Sequence, residues 1–478
     1  VRKNTRTKTK LRHWARVCGV IFPLQWSVNP MVKKLLFSSL FFVTCVDAQE
    51  HDFSAMLSCH ASSDKPGLAV SIEQFGKHVF KGALGVADIS TREPLKVDHT
   101  FQIGSISKQF TAAAILQLAE NNKLSLRNTL DDFITDLPVE YAKLTIESVL
   151  SHTSGLPNYN SDAGSRQRWD KYATIDEVIN VVSRMPVLTK PGVDYAYSNT
   201  GYILLGKVIE DASGLTYSEY LQRNIFSPLG MKNSFVVTKG VSSKQIVKGY
   251  TANKDVPNVY LAPETVDRSW IYAAGAIAST LDDMSLWHHG LSSGKVISAE
   301  NYQLMVTRAK LNNGESVNYG FGTDVYPISG QPSYSHQGQV PGFVAWSVYF
   351  PSHDLLGTVF GNNDSVHPGP ALLNMVARQL NLSPAAIAHK NITEQAKALI
   401  GTYKGADDTV ITVTFNDGQL SAKTGNDVTR KLVLRENNSF SFECTEDYYE
   451  LREEDEQRLL VPVSIYMGER APLVRMKI

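Results

Sequence analysis

Residues 100–110 read Thr-Phe-Gln-Ile-Gly-Ser-Ile-Ser-Lys-Gln-Phe and run directly into the apolar stretch Ala112–Leu118. Positions three apart on a helix lie one above the other, so the ammonium of Lys108 can reach the hydroxyl of Ser105. Gly104 supplies a flexible entry. Ser105 then falls at a helix N-terminus, where free N–H groups and the positive dipole end favour a developing oxyanion. The same field disfavours a charged lysine and helps bring Lys108 down from about 10.4 toward the range a general base needs. Ser-x-x-Lys alone is common, however. Ser62/Lys65 and Ser292/Lys295 repeat it in polar, loop-like text, and a capping serine followed by a solvated lysine would look the same. The surrounding chain has to decide.

With 478 residues the chain exceeds one ordinary core, so two or three domains are expected. Its formal net charge of +0 hides an asymmetry: residues 1–48 carry nine Lys/Arg and one acidic residue, which leaves the remainder mildly acidic. No basic stripe for nucleic acid is present. Lys33 and Lys34, the apolar run Leu35–Thr44 and the small-residue site Val46-Asp47-Ala48 read together as a secretory signal peptide over 31–48, too short to span a membrane. Cleavage is expected after Ala48, which makes the protein secreted or periplasmic with no transmembrane anchor. Cys45 admits a lipoprotein, although Thr44 and Phe42 fit that cleavage site poorly. Residues 1–30 read as an over-extended N-terminus. After cleavage only Cys59 and Cys444 remain. An exported chain permits a disulfide between them, but two isolated cysteines fit buried small hydrophobes equally well. No Cys/His cluster has metal-ligand spacing, and no cofactor is expected.

Gly67–Glu73 and His78–Leu84, rich in Val, Ile and Phe, read as a β-hairpin. The Ser105 helix is expected to end near Asn121-Asn122. Thr145–His152 reads as a helix capped by Thr145 and stopped by Gly155 and Pro157, with His152 closing its C-terminus. Thr174–Met185, Tyr202–Ala212 and Tyr217–Ile225 continue a mostly helical region from about 121 to 300. Strand-like alternation returns after residue 315, with Phe343–Phe350 and Leu355–Phe360 ahead of a helix over Ala371–Leu380. Strands at both ends of a helical middle imply one sheet built from N- and C-terminal strands. Residues 381–398 read as a linker. Val410–Phe415, Lys431–Leu434, Ser439–Glu443, Leu459–Met467 and Leu473–Ile478 then form a small all-β domain.

Two further motifs follow Ser105/Lys108 in order: Tyr197-Ser198-Asn199 and His336-Gln337-Gly338. Tyr-x-Asn occurs once in the chain and lies between the other two motifs. Together the three resemble the motifs of the serine penicillin-binding-protein and β-lactamase-related hydrolases, in particular the class C β-lactamase, DD-peptidase, D-aminopeptidase and esterase group. The resemblance spans about 67–380 and extends to Leu150–Pro157, Pro228-Leu229-Gly230-Met231 and Gly275–Asp283. It implies an α+β fold, with a β-lactamase/transpeptidase-like antiparallel sheet flanked by helices and carrying a helical insert, in a catalytic domain over 49–380. Residues 399–478 resemble the lipocalin-like β-barrel appended to many such hydrolases, beginning at Ile400-Gly401-Thr402-Tyr403; packing against the catalytic domain is the expected arrangement, a cap over the substrate entrance the alternative.

The resemblance implies Ser105 as nucleophile and either Lys108 or a Tyr197 phenolate as its base. Asn199 would hydrogen-bond Lys108 and the substrate amide. Gly338 would lie on the substrate-binding strand, with the backbone N–H groups of Ser105 and Gln339 as the oxyanion hole. His336 stands where β-lactamases of this group usually carry a lysine, and a largely neutral histidine grips a substrate carboxylate less firmly. Lys423-Thr424-Gly425 has the β-lactamase spelling but falls in the C-terminal β domain, which makes it a decoy. The expected activity is exported hydrolysis of small-molecule, peptide or ester substrates through an acyl-enzyme. The alternatives are a class C-like β-lactamase and a penicillin- or muropeptide-binding protein that does not turn over.

Overall fold

The computed structural model describes residues 52–238, 246–386, 397–416, 418–424, 429–454, 457–465 and 468–476. The segment read as a signal peptide and the one read as an over-extended N-terminus lie outside these residues, as does much of the stretch read as a linker.

A short helix α1 (Phe53–Ser58) precedes the hairpin β1 (Leu68–Gln74) and β2 (Lys77–Leu84). The turn between the strands places Phe75 and Gly76 at φ 51° and 70°, the left-handed region that a tight hairpin needs. Next come the helices α2 (Ser107–Glu120), α3 (Ile146–Leu150), α4 (Ile175–Val182), α5 (Asn199–Ser213) and α6 (Leu281–Ser292). Thr145 caps α3, Thr174 caps α4 with a reciprocal bond from Glu177, and Gly214 ends α5 at φ 75°. The strands β3 (Asp324–Val325), β4 (Tyr334–Val340), β5 (Phe343–Phe350) and β6 (Leu355–Gly361) and helix α7 (Gly369–Gln379) complete this part.

The six-stranded sheet runs β3-β4-β5-β6-β1-β2 with every pair antiparallel, so N- and C-terminal strands share one sheet as the sequence implied. Alternation along each strand sorts side chains to the two faces. Leu68, Val70 and Ile72 of β1 and Trp346, Val348 and Phe350 of β5 pack with Phe53 and Leu57 of α1 and Leu372, Met375 and Val376 of α7. Ala69 and Ala345 point to the other face and join the larger core built on α2 and α5. The middle region is mostly helical but also contains the short strands Phe235–Val236 and Ile277–Ser279, which pair beside Phe101–Gln102.

The C-terminal strands are β7 (Gly401–Lys404), β8 (Val410–Asn416), β9 (Gln419–Thr424), β10 (Arg430–Arg435), β11 (Ser439–Phe442), β12 (Tyr448–Glu454), β13 (Gln457–Ser464) and β14 (Leu473–Arg475). Each pairs with its neighbour in sequence. β13 pairs with both β12 and β14, and β14 returns to β7, closing an eight-stranded antiparallel barrel. Strands β7 and β9 are absent from the sequence reading, and so is β12. Its Glu450, Arg452, Glu453 and Glu454 lack both the alternation and the β-branched content that mark a strand. Tyr403, Ile411, Val413, Leu432, Leu434 and Phe440 fill the barrel's apolar core. Lys423 and Thr424 fall on β9 of the barrel and not on the six-stranded sheet, as the decoy reading required.

Barrel and sheet lie in one compact unit. Cys59 and Cys444 form a disulfide, a pairing that spacing alone left open. Beside it Glu446 is buried between two arginines, with Oε1 3.0 Å from Arg378 Nε and Oε2 3.0 Å from Arg435 Nη1. The Asn374 side chain on α7 bonds the backbone of Cys444 and Glu446. The barrel is thus fastened to the α1/α7 face of the sheet.

Candidate active site

Ser105 sits in a single 3-10 turn, Gly104–Ile106, immediately before α2. Lys108 follows in the first turn of α2 and is fully buried, whereas Ser105 is only half-buried. Lys108 Nζ lies 2.9 Å from Ser105 Oγ, 2.7 Å from Asn199 Oδ1 and 2.7 Å from the Ala274 carbonyl oxygen. Burial holds the lysine well below its ordinary value, and it is this desolvation, more than the helix field, that does so. A neutral amine has two N–H groups and one lone pair. The two carbonyl-type oxygens can only accept, so they take the N–H groups, and the lone pair is left facing the Ser105 hydroxyl.

The Ala274 carbonyl has no side-chain signature, and sequence reasoning missed it. Its position follows from α2 and α5. Thr111 Oγ1 donates to the Ala273 carbonyl at 2.7 Å, and Ser107 Oγ accepts from the Ile277 N–H at 3.1 Å. Gly206 on α5 lets the 272–274 turn press close, since a Cβ there would stand 2.4 Å from the Tyr272 ring.

Tyr197-Ser198-Asn199 is the entry to α5. Ser198 is its N-cap, accepting from Gly201 N at 3.2 Å and donating to the Pro157 carbonyl at 2.7 Å. The cap fixes Tyr197 just outside the helix and Asn199 as its first residue. His152 does close α3, at φ 57°, and it does more besides. Its Nδ1 accepts the Ser198 N–H at 3.1 Å, and its buried ring packs 4.4 Å from Tyr197 and 4.8 Å from Tyr319. Burial raises the Tyr197 phenol above its ordinary value, against a smaller lowering from its hydrogen bond with Ser105. Burial thus favours the neutral phenol of Tyr197 over a phenolate.

Strand β4 forms the opposite wall. Its pairing with β3 stops at Ser335, so its edge from His336 onward is open toward the Ser105 turn. A Cβ on Gly338 would come 1.9 Å from the Ile103 carbonyl oxygen and 3.1 Å from Ser105 N, and one on Gly104 would come 2.6 Å from Gln339 N. Two glycines at φ-permissive or crowded positions thereby bring the Ser105 and Gln339 backbones together. The first N–H groups of a helix have no intrahelical acceptor, which leaves Ser105 N–H able to hold an oxyanion.

His336 lies beside this wall but not in the expected pose. Its Nδ1 stands 2.6 Å from the Gln337 carbonyl and must donate to it, so Nε2 accepts from the Tyr319 hydroxyl at 2.9 Å. Burial and Lys108 push the imidazole down to about 3. Both nitrogens are spent within the protein, and in this geometry neither is offered to a substrate carboxylate. Tyr319, unremarked in the sequence, links His336 to the Tyr197 and His152 rings.

Ser105, Tyr197, Asp324, His336, Gln337, Gly338, Gln339, Val366 and His367 are among the residues that line a cleft of about 360 Å³. The three sequence motifs thus meet at one place. Among the described residues no cluster of three or more His, Cys, Asp or Glu side chains could hold a metal ion, and no helix is long and apolar enough to cross a membrane.

The family model described as Beta-lactamase matches residues 49–382. "Penicillin-binding protein 4*" of Bacillus subtilis is 26% identical over 72% of this chain and 81% of its own length. A D-aminopeptidase of Gluconobacter oxydans is 24% identical over 73% of this chain and 66% of its own. Among solved structures, the octameric penicillin-binding protein homologue from Pyrococcus abyssi superposes with a TM-score of 0.60 at 25% identity, covering 88% of this chain and 98% of that one. With the match extending over most of its length and the Ser-x-x-Lys pair assembled in the cleft, the chain belongs to the β-lactamase family of serine hydrolases.

Proposed function

We propose that this chain is an exported hydrolase that forms an acyl-enzyme on Ser105, acting on peptide substrates of the D-amino-acid type or on esters. The observation that carries the reading is the buried Lys108 amine, with two carbonyl oxygens taking its N–H groups and its third contact on Ser105 Oγ. Lys108 takes the hydroxyl proton as Ser105 Oγ attacks the substrate carbonyl. The Ser105 and Gln339 N–H groups receive the oxyanion. The proton passes through the neutral Tyr197 phenol to the leaving nitrogen or oxygen as the acyl–leaving-group bond breaks. Water, deprotonated by the same base, then cleaves the ester on Ser105. Asn199 holds Lys108 in register, and His152, Tyr319 and His336 position the Tyr197 wall.

The Cys59–Cys444 disulfide supports export, since such bonds persist in oxidising compartments. The β-lactamase reading has less support: no Lys or Arg side chain lines the described cleft to hold a β-lactam carboxylate.

The deciding experiment follows turnover of a chromogenic ester and the intact mass of the protein after benzylpenicillin is added. Ser105→Ala should lose all turnover, and wild-type rates in that variant would end the proposal. A lasting penicillin adduct on Ser105 would indicate a penicillin-binding peptidase. A transient adduct with hydrolysed drug would restore the β-lactamase reading. Ester turnover without any adduct is the result expected here.

A further inference from the structure

Asp324 stands in the cleft with no part in the chemistry above. It opens β3, paired with Ser335 next to His336. Gly322, two residues earlier at φ +67°, lets this segment press on α2, where a Cβ would come 2.5 Å from the Lys108 carbonyl oxygen. The carboxylate is thereby brought into the same cleft as Ser105, Tyr197 and His336.

Its surroundings are specific. Its charge raises the phenols of Tyr195, Tyr197, Tyr319 and Tyr326, and Tyr197 lines the cleft with it. Burial pushes its carboxyl up to about 7, and among the described residues none lends its side chain a hydrogen bond or an ion pair. Among the described residues no lysine or arginine lines the cleft to answer it. Lys108 is engaged with Ser105, Asn199 and Ala274, His336 has both nitrogens bonded, and His367 Nδ1 accepts the Gly369 N–H at 3.1 Å.

A cleft carboxylate with no cationic partner among the described residues is complementary to a cation, since an ammonium can donate to its oxygens. A ligand carboxylate at the same spot would meet like charge. We propose that Asp324 is a specificity-determining residue that receives the free amine of the acyl group attacked by Ser105, and that it selects against substrates presenting a carboxylate there. The inference rests on the Ser105 hydrolase reading for its chemistry but not for its binding test.

The first measurement compares kcat/KM for D-alanine p-nitroanilide and N-acetyl-D-alanine p-nitroanilide, in wild type and in Asp324→Asn. Wild type should favour the free amine. The free-amine to acetylated ratio should fall about 10- to 100-fold in the variant, the span of a charge-assisted hydrogen bond. An equal fall for both substrates, or no preference in wild type, overturns the inference. The second measurement titrates D-alaninamide by calorimetry into Ser105→Ala and into Ser105→Ala/Asp324→Asn, neither of which depends on turnover. Binding weakened about tenfold or more by the second substitution supports the inference even if Ser105 proves not to be a nucleophile. Equal or absent binding in both overturns it, even if the hydrolase reading stands.

Discussion

Lys108→Met is the most demanding test of the proposed chemistry. Methionine nearly preserves the volume of the fully buried side chain while removing its only polar atom. The Ser105 hydroxyl loses its proton acceptor. Positioned general bases contribute about 10²–10⁴-fold, so kcat/KM should fall by that factor. The stability change should be small. The variant no longer buries an amine, but it leaves Asn199 Oδ1 and the Ala274 carbonyl without a donor at about 1–3 kcal/mol each. The assay is ester hydrolysis as a function of pH, with an uncharged ester so that Asp324 does not enter. Wild type should show an ascending limb below the ordinary lysine range, because burial lowers the Lys108 value. His152 and His336 cannot produce that limb, since both are held far below 6.5. Tyr197→Phe should lower the curve but keep the limb, whereas Lys108→Met should abolish it. A limb that survives in Lys108→Met and disappears in Tyr197→Phe would refute the assignment and make the tyrosine the base.

Three other outcomes follow from the same geometry. Gly338→Ala places a Cβ 1.9 Å from the Ile103 carbonyl oxygen; the β4 wall must retreat, and a displacement near 1 Å costs about 10²-fold in kcat/KM, with wild-type turnover as the contrary result. Glu446→Ala leaves the buried Arg435 beside the disulfide without its carboxylate and should cost about 3–5 kcal/mol in urea unfolding; a loss below about 1 kcal/mol would show that the cluster does not fasten the barrel. Asp324 has a folded-state value of about 7 against 3.8 ordinarily, so the folded form keeps its proton longer and wild-type stability falls as pH rises from about 4 to 7. Asp324→Asn should accordingly be more stable than wild type at pH 8 by about 2–4 kcal/mol, with the difference vanishing near pH 4 in paired denaturation curves, and a difference independent of pH would contradict the burial argument.

Much of the hydrolase was legible because its determinants are local. The hairpin at 68–84, the caps at Thr145 and Thr174 and the Gly214 stop depend on residues within a few positions of one another. The order of three short motifs pointed to residues that meet at one cleft, and strand-like text at both ends of a helical middle pointed to the shared sheet. Helix ends were less sharp: the helix expected over Thr145–His152 is Ile146–Leu150, with His152 turned into the left-handed region.

The sequence by itself determined which residues could do the chemistry: a serine one turn from a lysine, a tyrosine and an asparagine just ahead of a strong helix, and a histidine-glycine strand after them. Tertiary structure alone decided what those residues are in physical terms. Lys108 is held well below its ordinary value because burial from several elements removes its water, and the Ala274 carbonyl reaches it only because Gly206 lets a distant turn approach. His336 is neutral and turned inward because Tyr319 and the Gln337 carbonyl hold its ring, and Asp324 enters the cleft because Gly322 lets its strand close on α2. Cys59 and Cys444 pair because the barrel docks on the α1/α7 face. Desolvation and long-range contact depend on what surrounds a residue in space, and that is settled only when the chain has folded.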